Sequence, residues 1–378
     1  RVKQMQAEGI DVTSLCVGEP DFLPPDAVLE AVKEAVTAGD TKYTALAGTA
    51  ALRSAIAADL QRRKQGLQYN PQSEIVVGNG AKQCVYQGVV ATVGAGDAVL
   101  IPAPYWPSYP EMAALCQAES VIVQTSASNG YLMTPEELRA ALKEHENVKL
   151  MILCNPSNPT GGVYSKAQLQ GLATVLKDFP HVTILADEIY ERLSYTGEVT
   201  SFATIDDMWD RTMTVNGFSK AYAMTGLRLG YLAAPQPLAR AVTTIQSQVT
   251  SCAGSLSQAA GVAALTQVPD GVLEANVEIM RAKRDYVLEQ LAAMPAAHVQ
   301  VPPAGAFYVL PIVAGTTYGE DDVALCQDLL EEERLALVPG TSFGAPGTVR
   351  ISYATSMEEL TVAMEKLARF LKRHTTAS

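Results

Sequence analysis

The chain has 378 residues, enough for one large domain with a smaller companion, and its 48% hydrophobic content promises a sizeable core. Lys and Arg number 28 against 40 Asp and Glu, a net charge of −12 that argues against sequence-independent binding to a nucleic-acid backbone. No run approaches the roughly 20 apolar residues that span a bilayer, so no membrane partner is expected and any phosphate has to be held locally.

The six cysteines, Cys16, Cys84, Cys116, Cys154, Cys252 and Cys326, form no CxxC pair, and the four histidines stand apart, so neither a disulfide framework nor a metal site is expected. The scattered cysteines suit a reducing compartment, which leads us to expect a cytoplasmic protein; the sequence opens on Arg1 rather than Met, an N-terminus read as trimmed or incomplete. Residues 1–18 are too short to stand alone and should pack on the C-terminal part. Residues 74–78 (EIVVG) predict a buried strand, 79–82 a Gly-containing turn and 83–93 a helix. Strands follow at 97–101 and 121–124. Strands at 148–154 (VKLMILC) and 182–186 (VTILA) flank a helix at 166–177, and short strands come at 212–216 and 229–233. From about residue 272 the character changes: a long helix at 272–294 leads through 299–301 into a turn at 302–306, a strand at 307–310, a helix near 321–333, an extended stretch at 348–353 and a last helix. The pattern predicts an α/β protein whose mostly parallel sheet, flanked by helices, occupies a large domain over 19–278. A smaller α+β domain over 279–378 is joined by the segment 1–18. The carboxyl ends of the parallel strands mark the edge where a ligand crevice should form.

Three features sit at such strand ends. Lys220 follows one in NGFSKAYAMTGLR (216–228), with Arg228 beyond a Thr–Gly turn; a lysine there is by default a solvated charge. Asp187 closes a strand in LADEIYE (185–191), followed by Tyr190, and Asn158 lies in the turn CNPSNPTGG (154–162). Taken singly, these are a turn-capping carboxylate, a core-edge tyrosine and a turn-forming asparagine.

Ten blocks in chain order change those odds: VGEPDF (17–22), KYTALAG (42–48), GAKQ (80–83), APYWPSYPEM (103–112), NPSNPTGG (155–162), DEIYE (187–191), SKAYAMTGLRLGY (219–231), GAFYVL (305–310), PGTSFG (339–344) and VRISYATS (349–356). With them the sequence resembles, over nearly its whole length, the class I and II aminotransferases of the fold-type I pyridoxal phosphate enzymes, and more closely their bacterial-type aspartate aminotransferase branch.

The resemblance implies pyridoxal 5′-phosphate as cofactor and a catalytic set of Lys220, Asp187 and Tyr190. Lys220 is the implied Schiff-base amine, which afterwards moves the substrate's α-proton. Asp187 keeps the ring nitrogen protonated. Asn158 and Tyr190 bond the ring's phenolic oxygen. Gly80, Ala81 and Lys82 present a helix N-terminus to the phosphate, and Arg228 adds a charged fork. Ser219 is expected to supply the hydroxyl that Gly217 lacks where animal-type relatives carry a serine. Leu227 replaces a common Trp as a packing change only. Trp106 should stack on the ring, and Tyr43 should reach the phosphate of a neighbouring subunit, implying a homodimer with shared sites. Arg350, helped by Gly18, Asn158 and Trp106, should take the substrate's α-carboxylate, bridging the two domains and favouring closure.

Lys82 is also implied to receive a distal carboxylate, and its cation is poorly placed as a plain surface charge at the positive end of a helix. Residues 246–255 carry no Arg to do this in the animal-type way. The expected reaction is ping-pong transfer of the amino group of aspartate to 2-oxoglutarate, giving oxaloacetate and glutamate. Prephenate or aromatic amino acids are the alternative substrates. A lyase on the same fold, retaining Lys220, Asp187 and Arg228, is a more distant alternative, and a regulator would need a DNA-binding domain for which the chain leaves no room.

Overall fold

The computed structural model describes residues 1–64 and 66–375. Its strands are β1 (Thr13–Ser14), β2 (Ile75–Gly78), β3 (Ala98–Ala103), β4 (Glu119–Gln124), β5 (Val148–Cys154), β6 (Thr183–Asp187), β7 (Thr212–Gly217), β8 (Gly230–Ala233), β9 (Tyr308–Val309), β10 (Leu335–Ala336), β11 (Val338–Pro339) and β12 (Val349–Ser352). The α-helices are α1 (Val2–Ala7), α2 (Asp26–Thr37), α3 (Ala50–Arg63), α4 (Ala81–Thr92), α5 (Ser108–Leu115), α6 (Pro135–Glu144), α7 (Lys166–Leu176), α8 (Gln236–Val249), α9 (Ser255–Thr266), α10 (Asp270–Ala292), α11 (Asp322–Glu333) and α12 (Met357–His374).

Strands β2 to β8 form one seven-stranded sheet in the order β2-β8-β7-β6-β5-β3-β4. All share one direction except β8, which runs antiparallel to β7 and β2. The residues explain why it is covered on both faces. Val99 and Ile101 of β3 pack with Val85 and Val89 of α4, while Ala98 and Leu100, one step out of phase, pack with Leu138 of α6 and Leu172 of α7. α6 and α7 each open with a capping box, Thr134 with Glu137 and Ser165 with Gln168. α4 starts at Ala81, two residues before the sequence suggested, and Gly80 gives it no side-chain cap.

The C-terminal part builds a smaller antiparallel sheet, β11-β12-β9. Phe307, Val349 and Ile351 share a core there with Val287 of α10, Leu329 of α11 and Leu367 of α12. Residues 299–301 form no strand; the nearby ladder contact is a single bridge between His298 and Ile312. The N-terminal segment joins this part through the parallel pair β1 and β10, with Met5 and Val12 buried against Leu330 and Ala336. α10 crosses between the two cores: Leu273 packs on the large-sheet side, and Met280, Val287 and Leu291 pack with the small sheet. Among the described residues no helix is long and apolar enough to cross a membrane.

Candidate active site

Parallel strands β5, β6 and β7 end at Cys154, Asp187 and Gly217, and the chain leaves each on the same edge of the sheet. Above that edge lies a cavity of about 390 Å³. Of the residues singled out in the sequence, Gly18, Ala81, Lys82, Trp106, Asn158, Asp187, Tyr190, Ser219, Lys220, Arg228 and Arg350 line it. Gly80 stands just behind the wall, and Tyr43 is 89% exposed and does not line this chain's cavity.

Lys220 enters from the loop after β7, donates to the carbonyl of Gly18, and has its Nζ 6.0 Å from the Tyr190 ring centre. Burial pushes its amine down to about 8; Arg228 and Arg350 act in the same direction, while Glu19 and Asp187 oppose them. A substantial fraction is therefore neutral near physiological pH, as a nucleophilic amine requires.

Asp187 is 4% exposed at the end of β6. Burial raises its pKa, and three contacts resist: the Tyr109 hydroxyl donates to Oδ2 at 2.7 Å, the Ile189 amide donates to Oδ1 at 3.3 Å, and the Lys220 charge lies nearby. The result is a desolvated carboxylate held by two donors, a form in which it can keep a proton on a facing ring nitrogen.

Arg350 reaches the cavity from β12. Its Nη1 donates to Asn158 Oδ1 at 3.1 Å and its Nη2 to the carbonyl of Cys16 at 2.6 Å, while the buried Nε has no hydrogen-bond partner among the described residues. The guanidinium lies between two aromatic rings, 4.5 Å from Tyr308 and 4.9 Å from Phe343. An orphaned, oriented guanidinium donor is what a carboxylate ligand would satisfy.

On the opposite wall α4 opens uncapped, and the amides of Ala81 and Lys82 find no acceptor among the described residues. Gly80, at φ +93°, lets the Arg228 guanidinium pass behind the helix start: a Cβ there would stand 2.6 Å from Nη2. Arg228 donates to the Thr225 carbonyl at 2.9 Å and has no carboxylate partner among the described ion pairs. Open helix amides, a free guanidinium and the buried Ser219 make a cradle for a dianionic phosphate. Together with the lowered amine of Lys220 and the buried carboxylate of Asp187, this donor set fits pyridoxal 5′-phosphate. Lys82 projects over the Trp106 ring, 4.9 Å from its centre, and is likewise without a carboxylate partner among the described residues.

Tyr109 and Tyr308 also line the cavity, although sequence reasoning did not select them. Both lie inside the quoted blocks APYWPSYPEM and GAFYVL, and Tyr109 stands one helical turn beyond Trp106, which is the only local signal either offered.

The model of the family described as aminotransferase class I and II matches residues 10–367. An aspartate aminotransferase of Pinus pinaster is 45% identical, the match covering 97% of this chain and 76% of that protein. An aspartate/prephenate aminotransferase of Cereibacter sphaeroides is 43% identical over 98% and 94% of the two chains. The crystal structure of an aspartate aminotransferase from Rhizobium meliloti superposes with a TM-score of 0.93 at 41% identity, covering 99% of this chain and 95% of that one.

Proposed function

The chain belongs to the class I and II aminotransferases, and from that premise we propose that it transfers the amino group of aspartate to 2-oxoglutarate, using pyridoxal 5′-phosphate held at Lys220. The observation that carries this reading is the meeting, in one cavity, of a lysine amine lowered to about 8 with the buried carboxylate of Asp187 and the guanidinium of Arg350, which has no carboxylate partner among the described ion pairs.

Bound there, the cofactor supplies an aldehyde for the amine and a ring that draws off electrons released at the substrate's α-carbon. Lys220 holds it covalently and, once displaced by substrate, takes and returns the α-proton as a neutral amine. Asp187 holds the proton of the ring nitrogen. Asn158 and Tyr190 donate to the phenolic oxygen. The α4 amides, Ser219 and Arg228 take the phosphate, and Trp106 covers the ring. Arg350 takes the α-carboxylate, with Gly18 beside it, and the unpartnered Lys82 takes the distal carboxylate of a four- or five-carbon diacid. We further propose a homodimer in which Tyr43, exposed and not lining its own cavity, completes the partner's phosphate site.

A second reading, prephenate as amino acceptor, is favoured by the name of the Cereibacter sphaeroides relative and by the aromatic face of Trp106 beside Lys82. A panel of amino donors assayed with 2-oxoglutarate and with prephenate tests both readings. Aspartate should transfer its amino group stoichiometrically, and Lys82→Ala should raise KM for aspartate at least tenfold, the loss of roughly 1.4 kcal/mol, while sparing aromatic donors. Failure of aspartate to donate would overturn the proposal, and unchanged aspartate kinetics in the variant would remove Lys82 from it.

A further inference from the structure

Tyr308 has no part in the scheme above, yet it touches both halves of it. It lies on β9 opposite Ser352 of β12, so Arg350, two residues along, shares its face of the small sheet. Its ring lies under the Arg350 guanidinium at 4.5 Å, and its hydroxyl stands 2.9 Å from that of Tyr190. It is 1% exposed. The backbone of Gly18 passes so close to this hydroxyl that a side chain at position 18 would collide with it.

Each phenol has one proton, and the bond between the two oxygens uses only one of them. Which tyrosine donates decides where the other proton points. A guanidinium against the face of a phenol withdraws electron density and makes it the more acidic of the pair, hence the better donor. That phenol is Tyr308, with Arg350 at 4.5 Å; the cation nearest the Tyr190 ring, Lys220, stands farther off at 6.0 Å and is the amine the cofactor would engage, while Tyr190 packs edge-on against Phe307 and Tyr308. With Tyr308 donating, the lone pair of Tyr190 is engaged and its own proton is free for a second acceptor in the cavity, on the side where Lys220 lies.

We propose that Tyr308 is a positioning residue whose hydroxyl donates to Tyr190 and thereby turns the Tyr190 proton into the cavity, toward the phenolic oxygen of the bound cofactor. The inference rests on the role given to Tyr190 above.

The test is a spectrophotometric pH titration of the Lys220-linked chromophore in the holoenzyme. A weaker donor at Tyr190 leaves more negative charge on the oxygen beside the Lys220 nitrogen, so that nitrogen keeps its proton to higher pH. Tyr308→Phe keeps the ring and its packing, and should raise the midpoint by about 0.5 to 1 unit, the worth of one hydrogen bond. Tyr190→Phe should raise it at least as much, and adding Tyr308→Phe to Tyr190→Phe should change nothing further. Placing 3-fluorotyrosine, a more acidic phenol, at position 308 should move the midpoint down. Because the ring under Arg350 survives, KM for aspartate should change less than twofold in Tyr308→Phe while kcat falls. An unmoved midpoint in Tyr308→Phe, or an equal rise with Tyr190 already replaced, would overturn the inference alone. Absence of any Lys220-linked chromophore in the parent enzyme would overturn the functional proposal with it.

Discussion

Lys220 carries its charge at a disadvantage, and that disadvantage can be measured. Its amine falls from an ordinary 10.5 to about 8 on folding, chiefly through burial. Below pH 8 both folded and unfolded chains hold the proton, and the folded state bears the full cost of a desolvated cation. Between 8 and 10.5 the folded chain gives up the proton while the unfolded chain keeps it, so the cost is relieved as pH rises. The cofactor-free Lys220→Met chain should therefore be more stable than its parent at pH 7, by on the order of 1–3 kcal/mol, and this advantage should be gone by pH 10.5. Urea melts at both pH values measure it; an advantage of the same size at each would mean that charge burial is not the cause. Asp187 is a different case, a carboxylate raised by burial and held back by the Tyr109 hydroxyl. Tyr109→Phe removes a bond to a charged group, typically worth about 1.5–3 kcal/mol, so Asp187 should take up its proton at higher pH. Loss of cofactor affinity on acidification should then begin at least one unit higher, as read by fluorescence titration between pH 5 and 8. Lys220 and Asp187 were legible because Asp187 closes a strand and Lys220 follows one by three residues, each within a recognisable block. Their partners were not, because the Tyr109–Asp187 and Tyr190–Tyr308 bonds join residues 78 and 118 apart, a relation no local periodicity encodes.

Among the elements, α4 carries the phosphate proposal: its N-cap is a glycine with no side-chain oxygen to offer, whereas α6 and α7 have Thr134 and Ser165 accepting from their third amides, those of Glu137 and Gln168. Gly80 makes this possible twice over, through φ +93° and through the space it leaves for Arg228. Gly80→Ala should place a side chain in the left-handed region, at a cost of roughly 1–2 kcal/mol in stability, and displace the guanidinium. Pyridoxal phosphate affinity should fall more than tenfold, beyond what the loss of stability of the cofactor-free chain accounts for. Equal affinity would detach Gly80 and Arg228 from phosphate binding. The strand β2 before this helix was readable as EIVVG because every residue in Ile75–Gly78 is buried, leaving a continuous apolar run. The reversed direction of β8 was not, since a four-residue strand buried throughout has the same pattern either way. α9 was missed for a related reason: Ala260, Gly261, Ala263 and Ala264 bury small residues at adjacent positions, so no polar face marks a helical period.

At the scale of the whole molecule the proposed division between residues 278 and 279 falls inside α10, between Leu273, which packs on the large-sheet side, and Met280, which packs on the small-sheet side. A continuous helix with a foot in each core can transmit relative rotation without a loop hinge. The N-terminal segment crosses the same divide. Cys16 gives its carbonyl to Arg350 of the small sheet and Gly18 gives its carbonyl to Lys220 beyond the large one, so the stretch between them is strung across the cavity mouth. A dicarboxylic ligand that engages the Arg350 guanidinium would draw the small sheet and this strap toward Lys220 and favour the closed arrangement. Amide exchange at residues 15–18 should therefore slow when aspartate is added to the holoenzyme, while exchange in α6 and α7, behind the large sheet, stays unchanged. Arg350→Lys keeps the charge but loses the planar fork, and should abolish most of that protection even at aspartate concentrations that saturate the variant. Protection of equal size in both proteins would mean that the strap responds to occupancy of the Lys220 side alone, and closure through Arg350 would have to be given up.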